Sequence, residues 1–340
     1  MAETNEVSGL PGLPPPLRRV RVGEPVVAIG VFAILALLPL LFSGYIIYIL
    51  PQYMLFGVLA MSLALLWGFC GILSFGQAGF FALGAYTMGF CMQHADSLGV
   101  NAAYVALLIS IVAGAVIAGV VGYFLFSAGV RDSYFVIVTL ALSIIAEQIA
   151  VGQSQITGGW NGMFIPRVGL SFWNWKIPLE SDPSIYYVVV VFVAATYFFM
   201  RWVTRAKFGK VLAGIRENED RVLSLGFKVP LYKTATFAIS AALACMAGAL
   251  YGTHAAFVAP SLAGVLFSTE VVVWVAIAGR SSLIGALLGG IVVSSMSNAL
   301  SAITPQYWQL LLGMTFVVVV AFFRGGIAGA VQRFSARQER

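Results

Sequence analysis

The sequence has few charged residues, only two histidines and only three cysteines. Charged residues make up 9% of the 340 residues, whereas 60% are hydrophobic. Cys70, Cys91 and Cys245 lie within or beside apolar runs, which indicates small buried side chains rather than disulfides or metal ligands. His94 and His254 stand alone, without the neighbouring histidine, cysteine or carboxylate spacing that a metal site requires. The sequence therefore predicts no metal site.

Nucleotide-binding and catalytic motifs are also missing. No Gly-rich loop ends in Gly-Lys-Ser or Gly-Lys-Thr, the pattern that cradles nucleotide phosphates, and no acid, base and nucleophile fall into a catalytic arrangement. The formal net charge of +6 does not indicate nucleic-acid binding, because in an apolar chain basic residues report which side faces the cytoplasm. We interpret the chain as a conduit and not as an enzyme.

Long apolar runs dominate the chain, and their lengths define its class. Each run has about 17 to 25 residues, enough to cross the ~30 Å of hydrocarbon in a bilayer. We predict an all-α polytopic membrane protein with about ten transmembrane helices. The predicted spans lie near residues 25–43, 45–67, 74–92, 102–127, 134–151, 185–200, 234–252, 265–279, 283–302 and 307–323.

The basic residues orient these spans. With the N-terminus inside, 17 of the 19 Lys and Arg residues fall on the cytoplasmic side, and only Arg167 and Lys176 fall outside. This distribution follows the positive-inside rule and places both termini in the cytoplasm. Residues 1–24 form a Pro-rich flexible arm that lacks a convincing cleavage site, residues 25–323 form the membrane domain, and residues 324–340 form a tail.

Two long polar loops lie on opposite sides of the predicted membrane domain. Residues 152–184 face the periplasm and residues 201–233 face the cytoplasm. The five spans before the middle of the outer loop and the five after it run in opposite senses, which is the pattern of an inverted repeat. The Gly-rich third span and the short eighth span are candidates for broken or re-entrant helices shielded by their neighbours.

The cytoplasmic loop contains a dense cluster of charges in "VLAGIRENEDRVLSLGF", residues 211–227. Asn218 can cap a helix, Glu219 and Asp220 suit its first turn, and Gly226 can end it. The result is a helix of about two turns, which is too short to be stable alone and must contact the membrane domain or a partner. The two interpretations are a docking helix and a solvated loop that only sets topology.

Five polar or aromatic residues inside the spans are candidates for a transport path. Ionisable groups in a membrane are costly and often functional, which selects Glu147 and Glu270, although each could instead be satisfied at a helix end. Gln77 lies among glycines that permit a broken helix, and Thr139 offers a hydroxyl. Trp274 is the fifth candidate, with core packing as the alternative.

The outer loop contains the Gly-rich stretch "TGGWNGM", residues 157–163. It could cap the transport path and contact a partner on that side, or form an ordinary turn. The candidate contact residues are Gly158, Gly159, Trp160 and Asn161.

Four ordered segments carry a family resemblance. They are "GFCGILSFGQAGFFALGAYTMG" at 68–89, "DSYFVIVTLALSIIAEQIAVGQSQITGGWNGM" at 132–163, "FGKVLAGIRENEDRVLSLGFKVPLYKTATFAISAALACMAGALYG" at 208–252 and "STEVVVWVAIAGRSSLIGALLGG" at 268–290. Together they resemble permeases of ABC importers for branched-chain amino acids, urea and short amides. The similarity runs from about residue 25 to residue 330.

The resemblance implies a permease subunit of the second of two paired types, in a bacterial inner membrane. Its partners would be the other permease, two cytoplasmic ATPase subunits that use ATP and Mg²⁺, and a periplasmic solute-binding protein. This chain would bind no cofactor itself. The charged cluster becomes a coupling helix, with these expected ATPase contacts: Arg216, Glu217, Asn218, Glu219, Asp220, Arg221, Val222, Leu223, Leu225 and Gly226.

The identity of the transported solute is the most specific expectation. "CGILSFGQ" and "EVVVWVAIAGR" are more similar to the urea and short-amide permeases, so we expect urea or a short amide, with branched-chain amino acids as the alternative. A neutral amide would need hydrogen-bonding groups such as Gln77 and Thr139. A competing class is an ion-coupled secondary transporter in which Glu147 and Glu270 are the coupling carboxylates.

Overall fold

The structure of the protein is a computed structural model. It describes residues 23–41, 44–94, 102–130, 132–166, 170–172, 175–177, 182–303, 306–307, 310, 313–314 and 317. The C-terminal tail, most of the predicted tenth span and nearly all of the N-terminal arm lie outside the described residues, so the predictions for them stay predictions.

Helices make up most of the described chain. In order they are α1 (Gly23–Leu41), α2 (Tyr45–Ala64), α3 (Gln77–Gln93), α4 (Ala102–Ser127), α5 (Asp132–Gly152), α6 (Ser154–Thr157), α7 (Asp182–Arg205), α8 (Lys207–Glu217), α9 (Glu219–Ser224), α10 (Val229–Ala255), α11 (Val265–Ala278) and α12 (Leu283–Ile303). A π-helix at Leu65–Cys70 extends α2, and 3₁₀ turns occupy Gly159–Asn161 and Pro260–Ala263.

Two short antiparallel pairs complete the secondary structure. β1 (Met163–Phe164) pairs with β4 (Phe257–Val258), with Met163 opposite Val258. β2 (Leu170–Phe172) pairs with β3 (Trp175–Ile177), with Leu170 opposite Ile177. All four strands lie in the two connections at the ends of α5 and α10.

Each of the nine predicted spans between residues 25 and 302 contains a helix. Among the described residues, six helices are long and apolar enough to cross a membrane: α2 with its π extension, α4, α5, α7, α10 and α12. α1 and α11 are shorter apolar helices, and α3 has 17 residues. The chain is therefore an α-helical membrane protein, whereas the count of ten crossings, the side of the termini and the inverted repeat stay predictions.

Helix α10 lies in the interior and makes its most extensive contacts with α4 and α3. Small residues recur at every fourth position along the buried face of α4. This spacing keeps them on one face and lets two helix backbones approach closely, as in small-xxx-small membrane contacts. The residues are Ala102, Ala106, Ser110, Gly114, Ala118 and Gly122.

The contact between α3 and α10 has two reciprocal glycines. A Cβ atom on Gly84 would collide with the carbonyl oxygen of Cys245, and a Cβ on Gly248 would collide with the carbonyl oxygen of Phe81. At each glycine, the backbone of the other helix therefore occupies the space that a side chain would fill. Because backbone cannot move aside as a side chain can, these positions fix how closely α3 and α10 approach.

Two non-helical segments interrupt the bundle. The first break, residues 71–76, separates the π-helix from α3 and starts at Gly71, whose φ of 90° favours glycine. The second break, residues 256–264, separates α10 from α11 and includes the 3₁₀ turn. The breaks precede the third and eighth predicted spans, whereas α3 and α11 are themselves continuous helices, so the expectation that these two spans are broken or re-entrant stays a prediction.

Candidate functional site

Three polar residues of α5 occupy one helix face because they are spaced by four: Thr139, Ser143 and Glu147. Thr139 is fully buried, and its hydroxyl accepts a hydrogen bond from the backbone N–H of Phe75 at 3.1 Å. The same hydroxyl donates to the carbonyl of Val136 at 3.0 Å. Thr139 therefore fastens the first break to α5, and its hydrogen-bonding capacity is already used within the chain.

Ser143, one turn further along α5, makes the matching contact with the second break. Its Oγ donates to the carbonyl oxygen of Ala263 at 2.6 Å and lies 2.9 Å from the Oγ of Ser268 on α11. The serine is fully buried. One face of α5 thus joins both breaks, and Ser143 holds the second break and the start of α11 together.

Glu147 completes this face at the N-terminus of α11. Its two carboxylate oxygens lie 3.1 and 3.2 Å from the position that a Cβ on Gly264 would take, and Gly264 is the N-cap residue of α11. A negative charge is favoured there because the helix dipole is positive at its N-terminus. Glu147 is half-buried, so the carboxylate also reaches the molecular surface.

Gln77 begins α3 directly after the first break and is buried, with an exposed fraction of 1%. Its Oε1 lies 3.2 Å from the Oγ of Ser62, which also lies 2.7 Å from the carbonyl oxygen of Leu59. The carbonyl of Ser62 accepts a hydrogen bond from Ser240 at 2.5 Å. The Nε2 of Gln77 has no hydrogen-bond partner among the described residues. Leaving a buried amide nitrogen without a hydrogen-bond partner costs about 1–3 kcal/mol of stability. The Gln77 amide is therefore a candidate donor for a polar solute.

The last two path candidates both lie on α11. Trp274 is buried, its ring stacks on Phe56 with centroids 5.4 Å apart, and the edge of Phe267 meets it at 5.7 Å. The ring of Trp274 therefore packs in the core, whereas its indole Nε1 has no hydrogen-bond partner among the described residues, and a role in the path stays a prediction. Glu270 is half-buried, further along the helix from Gly264.

The Gly-rich outer stretch folds as a tight ordered turn. Gly158, Gly159 and Gly162 have φ values of 76°, 59° and 73°. A Cβ on Gly158 would collide with the carbonyl oxygen of Gly162. The turn leaves Trp160 and Asn161 exposed, with an exposed fraction of 77% for the tryptophan.

This turn is joined to the second break. β1 pairs with β4, and the backbone N–H of Ile165 donates to the carbonyl of Ala256 at 3.0 Å. Phe164 and Phe257 pair their rings with centroids 5.1 Å apart. Whatever contacts Trp160 from outside is therefore mechanically connected to the segment that Ser143 and Glu147 touch.

The loop at 201–233, which the sequence predicts to be cytoplasmic, contains more helix than the sequence predicted. The helix before it continues to Arg205, the helix after it begins at Val229, and α8 occupies Lys207–Glu217 between them. The apolar residues of 211–215 belong to α8, and Leu212 and Ile215 lie on its buried face. The sequence predicted one short helix in this loop, and the structure has two.

The second of these helices, α9, has the caps that the sequence predicted. The side chain of Asn218 accepts a hydrogen bond from the backbone N–H of Arg221 at 2.9 Å. Gly226 has a φ of 84° directly after the helix. Glu219 and Asp220 lie in the first turn.

Three of the expected ATPase contacts also contact their own chain, and their contact with the ATPase stays a prediction. The Nη1 of Arg216 donates to the carbonyl oxygen of Gly68 in the π-helix. Glu219 forms an ion pair with Lys233 on α10 at 2.7 Å. Val222 is buried, with an exposed fraction of 7%. These side chains attach the loop to the membrane domain, because a six-residue helix has little stability of its own.

The opposite side of the loop carries exposed apolar residues. Leu225 is 69% exposed, Leu223 is 45% exposed, and Phe227 and Leu231 continue the patch. We call this group of four the apolar loop patch. The exposed charged residues of the same segment are Arg216, Glu217, Asp220, Arg221 and Lys228.

The cysteines and histidines hold no metal site in the described part of the chain. Cys70, Cys91 and Cys245 are buried, as predicted, and no disulfide joins them in the described part of the chain. No group of three or more metal-ligating side chains occurs among the described residues. His94 contacts the carbonyl of Phe90, and His254 is buried beside Tyr48.

Sequence reasoning missed Ser143, Ser62, Ser240 and Ser268. Isolated serines in apolar helices carry a weak signal, because they commonly bond back to their own helix. The spacing of Thr139, Ser143 and Glu147 was available as a signal, since a polar residue on every fourth position of an apolar span marks one buried face.

Comparison with known proteins identifies the family. The family model for the branched-chain amino acid transport system permease component matches residues 45–320, and the chain belongs to this family. It is 28% identical to the high-affinity branched-chain amino acid transport system permease protein LivM of Salmonella typhimurium LT2 over 310 residues, covering 85% of this chain and 71% of LivM. LivM of Escherichia coli K12 is also 28% identical, over 309 residues and the same shares.

A second type of permease is more distantly similar. LivH of Escherichia coli K12 is 20% identical over 290 residues, covering 81% of this chain and 91% of LivH. No solved structure matches the chain significantly. The chain is therefore a LivM-like permease and a transport subunit rather than an enzyme. The expectation of urea or a short amide is not supported, because these relatives are described as branched-chain amino acid permeases.

Proposed function

We propose that the chain is the LivM-type permease of an ATP-driven importer for branched-chain amino acids in a bacterial inner membrane. It works with a second, LivH-like permease, two cytoplasmic ATPase subunits and a periplasmic binding protein. The descriptions of its relatives support this solute. Family membership also disfavours the ion-coupled alternative, in which Glu147 and Glu270 would carry the coupling ion.

The observation that carries the proposal is the division of the cytoplasmic loop into two sides. Val222, Arg216 and Glu219 hold it to the membrane domain, whereas the apolar loop patch is exposed. An exposed apolar patch beside charged residues is typical of a protein interface. We assign this patch to the ATPase subunit, because a loop held rigidly on one side can transmit a push received on the other.

We place the transport path beside the two breaks. Interrupted helices at corresponding positions of two halves often mark a substrate site. Here each break follows the second helix of its predicted half and precedes the third. Gln77 lies at the first break with a free donor, and Glu147 lies at the second with its carboxylate near the surface.

The surface around Glu147 has polar residues that lipid would disfavour. Gln148 on α5 and Thr269 on α11 are both exposed, and polar groups in spans generally face protein or a water-filled cavity. We propose that this surface faces the second permease and that the solute passes between the two. Trp160, supported by its glycine turn, is the proposed contact for the binding protein.

Variants of the loop test the proposal. Leu225→Ala removes an apolar anchor, and we expect it to weaken ATPase association by about 1–3 kcal/mol if Leu225 is an interface hot spot. Arg221→Glu reverses a charge on the same side, and we expect a similar loss if the contact is desolvated. Membrane abundance of both variants should equal that of the native protein, because both side chains are exposed.

The assembled importer in proteoliposomes provides the measurement. We expect leucine uptake that requires ATP and the binding protein and is insensitive to proton ionophores. Full ATPase association and full uptake by both variants would contradict the docking assignment. A binding protein that holds urea or acetamide tightly and does not hold leucine would contradict the assigned solute.

A further inference from the structure

The contact between Arg216 and the π-helix suggests a role for this arginine that differs from binding the ATPase. The π-helix Leu65–Cys70 ends at Gly71, and the last carbonyl groups of a helix lack partners within it. The Nη1 of Arg216 donates to one of these, the carbonyl oxygen of Gly68. A cation is favoured at this end because the helix dipole is negative there.

Two glycines beside the contact, Gly71 and Gly68, have no room for a side chain. A Cβ on Gly71 would lie 3.0 Å from the Cγ of Arg216, and Gly71 has a φ of 90°. A Cβ on Gly68 would collide with the carbonyl oxygen of Arg280. The end of the π-helix is therefore built around the arginine stem on one side and around the connection between α11 and α12 on the other.

The same helix leads from this contact to Gln77. Ser62 precedes Gly68 by six residues of continuous helix, about 9 Å along the axis. Its Oγ lies 3.2 Å from the Oε1 of Gln77 and 2.7 Å from the carbonyl oxygen of Leu59. A displacement of α8 that pulls on Gly68 therefore moves α2, and with it a hydrogen-bond partner of the glutamine.

We infer that Arg216 is the positioning residue that transmits movement of the cytoplasmic loop to α2 and Gln77. This inference rests on the proposed function, in which the ATPase moves the loop. It assigns different tasks to two arginines of the same loop: Arg221 faces the ATPase, and Arg216 connects the loop to the membrane domain. Loss of Arg216 should then leave the ATPase bound and separate hydrolysis from transport.

The test compares Arg216→Met with Lys210→Met in the assembled importer. Methionine keeps an apolar stem and removes the donor, and Lys210 is an exposed cation on the same helix. We expect Arg216→Met to retain ATPase association and to lose about tenfold in leucine transported per ATP hydrolysed, the scale of one hydrogen bond to a charged group. Lys210→Met should stay near the native value, and Arg216→Lys should recover part of the loss because it restores a cationic donor.

Hydrogen exchange separates transmission from a simple stabilising role. On trapping with ATP and vanadate, peptides of 207–217 and of 65–71 should both change their exchange in the native importer. In Arg216→Met, the change at 207–217 should persist and the change at 65–71 should disappear. Persistence of both changes, equal transport by Arg216→Met and the native protein, or loss of ATPase association in Arg216→Met would each overturn the inference.

The outcomes distinguish this inference from the proposed function. If neither segment of the native importer responds to the nucleotide, the ATPase does not drive this loop, and both fail. If Leu225→Ala weakens ATPase association while Arg216→Met behaves as the native protein, only the inference fails. Equal defects in Arg216→Lys and Arg216→Met would show that a cationic donor to Gly68 is not the link, and would also overturn it.

Discussion

The hydrogen bond between Ser143 and Ala263 gives a quantitative test of how the second break is held. Ser143→Ala removes one oxygen atom and leaves the buried carbonyl of Ala263 without that donor. It also removes the 2.9 Å contact with the hydroxyl of Ser268. The variant therefore weakens the attachment of residues 256–264 to α5 and leaves the apolar packing of α5 unchanged.

The expected magnitude lies between two scales. A buried acceptor that loses its donor costs about 1–3 kcal/mol in soluble proteins, whereas hydrogen bonds between membrane helices average about 0.6 kcal/mol and reach about 1.7. The bond is 2.6 Å long and fully buried, and the serine touches two segments. These features favour the upper end of the membrane scale, about 1.5 kcal/mol, which is roughly a tenfold change in an opening equilibrium.

Amide hydrogen exchange measures that equilibrium directly, because exchange of a protected segment follows its local opening. We expect the amides of 256–264 to exchange about tenfold faster in Ser143→Ala. The matched control is Ser133→Ala, since Ser133 is exposed in the first turn of the same helix. Exchange within about twofold of the native rate, or an equal increase throughout α5 and α10, would refute this account of the second break.

Two further variants test the path and the helix packing. Gln77→Leu should impair leucine uptake with unchanged ATPase association, because it removes the unpaired buried donor without adding a charge; normal uptake would make Gln77 a packing residue. Gly248→Ala should lower the melting temperature of the detergent-purified chain, because overpacking a core contact costs about 1–3 kcal/mol. Gly119→Ala is its control and should not lower the melting temperature, since a Cβ there meets nothing within 4 Å and alanine favours helix; equal melting temperatures for both would contradict the close approach of α3 and α10.

The helices and the cap of α9 could be predicted because their signals are local. Apolar length determines a span, and the bounds of α4 agree with the predicted span at both ends. Asn218 followed by two acids, with Gly226 at the end, specifies a short capped helix from hydrogen-bonding chemistry alone. None of these features depends on which distant segment of the chain packs against the helix.

The direction in which each loop side chain points could not be predicted in the same way. Arg216 and Arg221 have the same chemistry, and only the position of the π-helix decides that one turns toward Gly68. Val222 and Leu225 are both apolar, yet the first is buried and the second is exposed. The role of Ser143 depends on Ala263, 120 residues away in the chain, so its partner has no local sequence signal.

The reciprocal glycines of α3 and α10 have a consequence for how the chain is made. Gly84 and Gly248 are separated by 164 residues, and a ribosome that adds ~5–20 residues per second needs roughly 8–30 s to cover that distance. During this interval α10 has not been synthesised, so the backbone surface of α3 around Gly84 lacks its contact. The small-residue face of α4 lacks its contact for the same reason, because Gly114 on this face packs against Cys245 of α10. The first-made spans must therefore persist in the bilayer with their closest contacts unformed, and α10 completes the interior when it is inserted.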